Sequence, residues 1–283
     1  MTMKTSFRGA SGNRLAADVS GPQDAPVVLL LHGGGQTRHS WARAHRELAA
    51  QGYRAISVDA RGHGESDWSA DGNYSLEAQV ADLLALIDEV GGRPALVGAS
   101  MGGTHSLMAC GLHPGIASAL VLVDVTPRLE AQGIEHIIGF MKRHIDGFDT
   151  LQQAADAVAA YNPNRRMVDN NAGLAKNLRQ RDDGRWYWHW DPRFMEGDHQ
   201  AKVAHISQRM GQLAANVEIP TLLVRGKQSD VVSLEGVREL HALLPQLEFV
   251  DIEGAGHMVA GDRNDRFNSA ILDFLQRSFP LPG

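Results

Sequence analysis

The six residues Gly98-Ala99-Ser100-Met101-Gly102-Gly103 constrain this chain more than any other stretch. They follow the apolar run Ala95-Leu96-Val97 and precede Thr104 to His113, which reads as a helix. A serine on a sharp strand-to-helix turn needs very small neighbours, because the turn strains the backbone and crowds strand and helix together. Gly98 and Gly102, two positions either side of Ser100, supply that room. Such a turn lifts the hydroxyl above the sheet and sets the Met101 N–H at a helix N-terminus, facing developing negative charge. The G-x-S-x-G pattern is short and built from common residues. It gains meaning only if the chain also supplies a base, an acid and a second amide donor in the right places.

Composition narrows the setting. A chain of 283 residues with 43% hydrophobic content can bury a normal α/β core. Its formal net charge of −6 argues against a nucleic-acid or anionic-membrane partner. No apolar run of about 18 residues exists to span a membrane, and Met1 to Ala10 is polar, without a secretory signal. The single cysteine, Cys110, can form no internal disulfide and reads as a small core residue. A cytoplasmic protein without metal or cofactor is expected. Oligomeric state is not legible at this level.

Short apolar runs alternate with amphipathic stretches, the pattern of a largely parallel sheet covered on both faces. Val27 to Leu31 is continuously apolar, as a doubly buried strand should be. Tyr53 to Val58, Ala95 to Ala99, Ala119 to Asp124, Thr221 to Gly226 and Leu247 to Ile252 read as further strands. His39 to Gln51, Leu76 to Val90 and Arg263 to Phe279 read as helices. From Arg128 to Asn216 no apolar strand is expected; the stretch is polar and helical, with Trp186-Tyr187-Trp188-His189-Trp190 in its middle. It reads as an insertion, residues 128–216, into a core made of 1–127 and 217–283.

A serine needs a base to take its proton and an acid to orient that base. His257 stands in Gly254-Ala255-Gly256-His257-Met258, directly after the last predicted strand, at the carboxyl edge where chemistry collects in open α/β sheets. Asp230 holds the matching position one strand earlier and is the preferred acid; Asp124, ending another buried strand, competes with it. Met101 N–H is one expected oxyanion donor. Gly34, in His32-Gly33-Gly34-Gly35 after the strand Val27 to Leu31, is the chosen second, with Gly33 and Gly35 as alternatives. No Gly-Lys-Ser/Thr follows this loop, which argues against phosphate binding. His32 is expected to brace the loop. Gly35, Trp186 and Trp188 are candidates for substrate contact, with Trp190 a further candidate for the pocket lining and Phe140 and Met141 as weaker ones.

With these parts together the chain resembles the α/β-hydrolase superfamily, in its capped epoxide-hydrolase, haloperoxidase and esterase branch. The resemblance runs through His32 to Gly35, Asp59-Ala60-Arg61-Gly62-His63-Gly64-Glu65-Ser66, the Ser100 turn, Asp230 and Gly256-His257. It implies a mostly parallel eight-stranded sheet flanked by helices, with 128–216 as a helical lid after the sixth strand. Epoxide hydrolases and haloalkane dehalogenases use aspartate where this chain has Ser100, which sets those chemistries aside. The resemblance implies hydrolysis of a small carboxylic ester or lactone through an acyl-enzyme on Ser100. Carbon–carbon bond hydrolysis, perhydrolysis, or a receptor-like module that binds ligand with incidental turnover are the alternatives.

Overall fold

The computed structural model describes residues 2–161, 172–257 and 265–282. The chain opens with an antiparallel pair, β1 (Met3–Arg8) and β2 (Arg14–Ser20). Next come β3 (Val27–Leu31), α1 (Ala42–Ala50), β4 (Arg54–Val58) and α2 (Leu76–Val90). The centre of the sheet is β5 (Ala95–Ala99), α3 (Met101–Leu112) and β6 (Ala119–Val123). Between β6 and the next sheet strand lie α4 (Ala131–Arg143), α5 (Leu151–Tyr161), α6 (Ala172–Ala175), β7 (Leu178–Gln180), β8 (Trp186–Trp188) and α7 (His199–Ala214). The chain closes with β9 (Thr221–Gly226), α8 (Leu234–Leu243), β10 (Leu247–Ile252) and α9 (Asp265–Ser278).

Eight strands form one sheet in the order β1-β2-β4-β3-β5-β6-β9-β10. Pairing is parallel from β4 through β10 and antiparallel where β2 meets β1 and β4. The central strands carry apolar side chains on both faces, so alternate residues enter different cores. Leu29 belongs to the core under α2, α3, α7 and α8, while Val28 and Leu30 belong to the core under α1 and α9. The N-terminal pair was not expected from sequence. β1 offers only Met3 and Phe7 to an apolar pattern and is mostly exposed at the sheet's edge, so its main signal is pairing with β2.

The inserted segment departs from expectation in two ways. It holds a short antiparallel hairpin, β7 with β8, where only helix was expected. Each strand is three residues long, too short for a period-2 pattern to be visible. The segment was also expected to run as far as 216, yet Met210, Leu213 and Ala214 of α7 are buried in the core beneath the sheet. That half of α7 covers the sheet as α2 and α8 do. The rest of the segment has its own small core around Met141, Phe148, Leu178, Trp188 and Trp190.

Candidate active site

Ser100 sits at the junction of β5 and α3 with φ 45° and ψ −111°, a strained conformation for a non-glycine residue. The strain is held by tight packing. A Cβ on Gly98 would strike the backbone of Gly102, one on Gly102 would strike the Leu31 carbonyl, and one on Gly103 would sit 2.6 Å from Val125 Cγ1. Ser100 N–H donates to Val123 O (2.9 Å), and Gly102 N–H donates to His32 O (3.2 Å), which stitches the turn to the neighbouring strands.

His257 lies after β10 and reaches back over the sheet edge. Its Nε2 is 3.2 Å from Ser100 Oγ, and its Nδ1 is 2.6 Å from Asp124 Oδ2. A carboxylate only accepts, so Nδ1 carries the proton and Nε2 is left to accept from the serine. Asp124 is 1% exposed and, like Ser100, has a positive φ (51°), the mark of a second constrained turn at the carboxyl edge. Its other bonds fix its orientation: Oδ1 accepts Gly226 N–H at 3.0 Å, and Oδ2 accepts the Ser229 hydroxyl at 2.6 Å.

The preferred acid of the sequence reading is therefore corrected. Asp230 is half-exposed and faces α4, with Oδ2 3.4 Å from His136 Nδ1. Ser229 turns inward toward Asp124, and its immediate neighbour Asp230 turns outward. The carboxylate beside His257 comes from β6, the strand next to the serine's own. The chain order serine, aspartate, histidine survives this change.

The glycine loop after β3 is organised by two buried histidines. His32 Nδ1–H donates to Gly33 O (2.8 Å) while its Nε2 accepts Ala60 N–H (3.0 Å). His63 Nδ1–H donates to Arg61 O (3.1 Å) while its Nε2 accepts Gly35 N–H (3.1 Å). Both rings must be neutral to accept, and burial pushes both downward, His63 to about 3. Gly33 N–H is spent on Gln36 Oε1 (3.1 Å). Among the described residues, Gly34 is the loop glycine whose amide has no hydrogen-bond partner, and Met101 N–H is likewise without one. Gly33 lies against the serine: a Cβ there would be 3.5 Å from Ser100 Cβ.

The Asp59 to Ser66 stretch braces this arrangement. Buried Asp59 accepts from Arg38, both backbone N–H (2.6 Å) and guanidinium, and from Glu65 N–H (2.9 Å). Burial alone would raise the Asp59 carboxyl, but the Arg38 guanidinium and the Arg38 and Glu65 amides outweigh it and hold the group below its ordinary value. Arg61 grips Asp82 through two bonds of 2.5 and 2.6 Å.

The two tryptophans expected to touch substrate pack within the inserted segment. Trp188 packs edge-on to Phe148 (5.3 Å between ring centroids) and beside Phe140 (5.8 Å), inside the inserted segment's own core. Trp186 packs against the same core and pairs its backbone with Phe148. The side chains that do meet the glycine loop are Met141, Trp190 and Phe194, beside Gly34 and Gly35. Met141 and Trp190 had a sequence signal in their apolar surroundings. Phe194 and Ser229 had none, since a lone aromatic in a turn and a serine beside an aspartate are ordinary loop residues. Among the described residues no group of three or more His, Cys, Asp or Glu converges to hold a metal ion. Nor is any described helix long and apolar enough to cross a membrane.

The family model of the α/β-hydrolase fold matches residues 26–263 of this sequence. The chain belongs to the α/β-hydrolase family. Among curated relatives of this α/β-hydrolase, an esterase of Mycobacterium tuberculosis is 32% identical over 247 residues, covering 84% of this chain and 79% of that one. An sn-1-specific diacylglycerol lipase of Mus musculus is 28% identical over 272 residues, 91% of this chain and 83% of its own. Among solved structures, an E-2-(acetamidomethylene)succinate hydrolase superposes with a TM-score of 0.84 over 98% of this chain and 100% of that one, at 22% identity. That likeness is one of fold.

Proposed function

We propose that this α/β-hydrolase cleaves a small carboxylic ester or lactone through an acyl-enzyme on Ser100. The observation that carries this is the unbroken run from Ser100 Oγ to His257 Nε2 (3.2 Å) and from His257 Nδ1 to Asp124 Oδ2 (2.6 Å). His257 takes the serine proton as Oγ attacks the carbonyl carbon, and Asp124 holds the ring in the tautomer that can accept it. The oxyanion forms before Met101 N–H and Gly34 N–H, the two amides left without partners. Collapse of that intermediate expels the alcohol, which takes the proton from His257. Water, deprotonated by the same ring, then releases the acid.

The relatives support ester chemistry, since one of them is an esterase and another a lipase. The segment between β6 and α7 acts as a lid in this reading, its Met141, Trp190 and Phe194 closing over the glycine loop. A panel of p-nitrophenyl esters and simple lactones, run beside Ser100→Ala, tests the proposal. Turnover that falls by about 10⁴-fold or more in the variant is expected. Turnover that survives the substitution, or that favours a vinylogous diketone over every ester, would overturn it.

A further inference from the structure

Four side chains bound the space in front of Gly34 and Gly35. A Cβ on Gly34 would lie 3.8 Å from Phe194 Cζ and 4.0 Å from Met101 Sδ. One on Gly35 would lie 3.1 Å from Met141 Cε and 3.7 Å from Trp190 Nε1. Phe194 is fixed in place by edge-on contacts with His63 (5.0 Å) and Tyr74 (6.1 Å). Two thioethers, a phenyl ring and an indole edge therefore pack against the loop that carries the second amide of the proposed oxyanion hole.

Among the described residues, four arginines of the surrounding loops are already engaged. Arg38 pairs with Asp59, Asp18 and Glu65, and Arg61 with Asp82. Arg193 is held by Asp191 and the Ser69 carbonyl, and Arg179 by the Gly64 carbonyl. A carboxylate carried into this space would lose its hydration against apolar groups and gain none of these cations in return. The chain's net charge of −6 adds a repulsive field.

We propose that the acyl group accepted at this site is uncharged and apolar, and that acyl chains ending in a carboxylate are excluded. The proposal rests on Ser100 as the nucleophile.

The test is a matched pair, p-nitrophenyl butyrate and the mono-p-nitrophenyl ester of succinic acid. They share a leaving group and a four-carbon acyl chain, and differ only in a terminal methyl against a carboxylate. After subtraction of spontaneous hydrolysis, kcat/KM is expected to favour the butyrate by about a hundredfold or more. Phe194→Arg, which sets a cation before Gly34, is expected to narrow that ratio by about tenfold, and Met141→Lys serves if the first variant does not fold. Equal turnover of the two esters, or preference for the succinate, with both lost in Ser100→Ala, would overturn the substrate class and leave the serine mechanism standing. Failure to cleave either ester would also overturn it. In that case labelling of Ser100 by a fluorophosphonate would confine the failure to the substrate class, and absence of labelling would extend it to the nucleophile.

Discussion

Asp124 and Asp230 differ in a way that only three dimensions reveal. Both follow predicted strands, both precede His257 in the chain, and both stand at the carboxyl edge. What separates them is the Ser229-Asp230 turn, which buries the serine hydroxyl against Asp124 and leaves the neighbouring carboxylate facing His136. Asp124→Asn is expected to lower kcat by about 10³- to 10⁴-fold, because the amide cannot hold the His257 tautomer. Asp230→Asn, which removes a half-exposed contact, should stay within about twofold. Steady-state kinetics on one ester checks both, and a larger loss at Asp230 would contradict the geometry. Ser229→Ala should lower kcat by about tenfold with KM unchanged, since it frees Asp124 to rotate without touching substrate. Ser229→Thr, which keeps the hydroxyl, should restore it. Sequence did carry a sign in favour of Asp124, a single charge closing the wholly apolar run Ala119 to Val123. The sign was ambiguous because a loop aspartate after β9 satisfied the same positional rule.

At the scale of elements, the strands that position the site were legible because their patterns are strong. β3, β5 and β6 are continuous apolar runs, β9 carries Leu222-Leu223-Val224, and the glycines around Ser100 announce a close approach that the packing against Leu31 and Val125 explains. The inserted segment was less legible, since its attachment relies on contacts distant in sequence. Buried Asp191 accepts the Tyr74 hydroxyl (2.6 Å) and the Arg193 guanidinium (2.7 Å), and its N–H donates to Gly62 O (2.8 Å). This clamp sits three residues before Phe194 and fixes that ring over the glycine loop. Asp191→Ala is expected to raise KM by about tenfold while fluorophosphonate labelling of Ser100 persists. An unchanged KM would show that the clamp does not set the pocket. The aromatic cluster at Trp186 to Trp190 misled for a related reason. β8 ends at Trp188, so the strand's two-residue period does not extend to Trp190; Trp188 fills the segment's interior, while Trp190 borders the same core and reaches Gly35.

Across the whole molecule, the site is held by buried groups that tolerate only one protonation state. Burial lowers His63 to about 3, His105 to about 3 and His189 to about 4 from an ordinary 6.5. Below pH 6.5 the unfolded chain takes up protons at these three positions while the folded chain does not. Stability should therefore fall as pH drops from 6.5 toward 4, by about 1.4 kcal/mol per pH unit for each histidine at full effect. Urea midpoints across that range measure it, with His105→Leu expected to give a shallower slope and a flat profile counting against the assignment. The buried Arg61–Asp82 pair gives a second measure, Asp82→Ala costing about 3–5 kcal/mol by leaving the guanidinium unpaired. This bracing surrounds Ser100, through which the proposed acyl transfer passes. The most direct test is peptide mass spectrometry after incubation with a p-nitrophenyl carbamate, whose carbamoyl-enzyme hydrolyses slowly enough to be isolated. One carbamoyl group per chain is expected, on the peptide that carries Ser100, with ester turnover lost in proportion. An unmodified Ser100, or modification elsewhere while that turnover disappears, would contradict it.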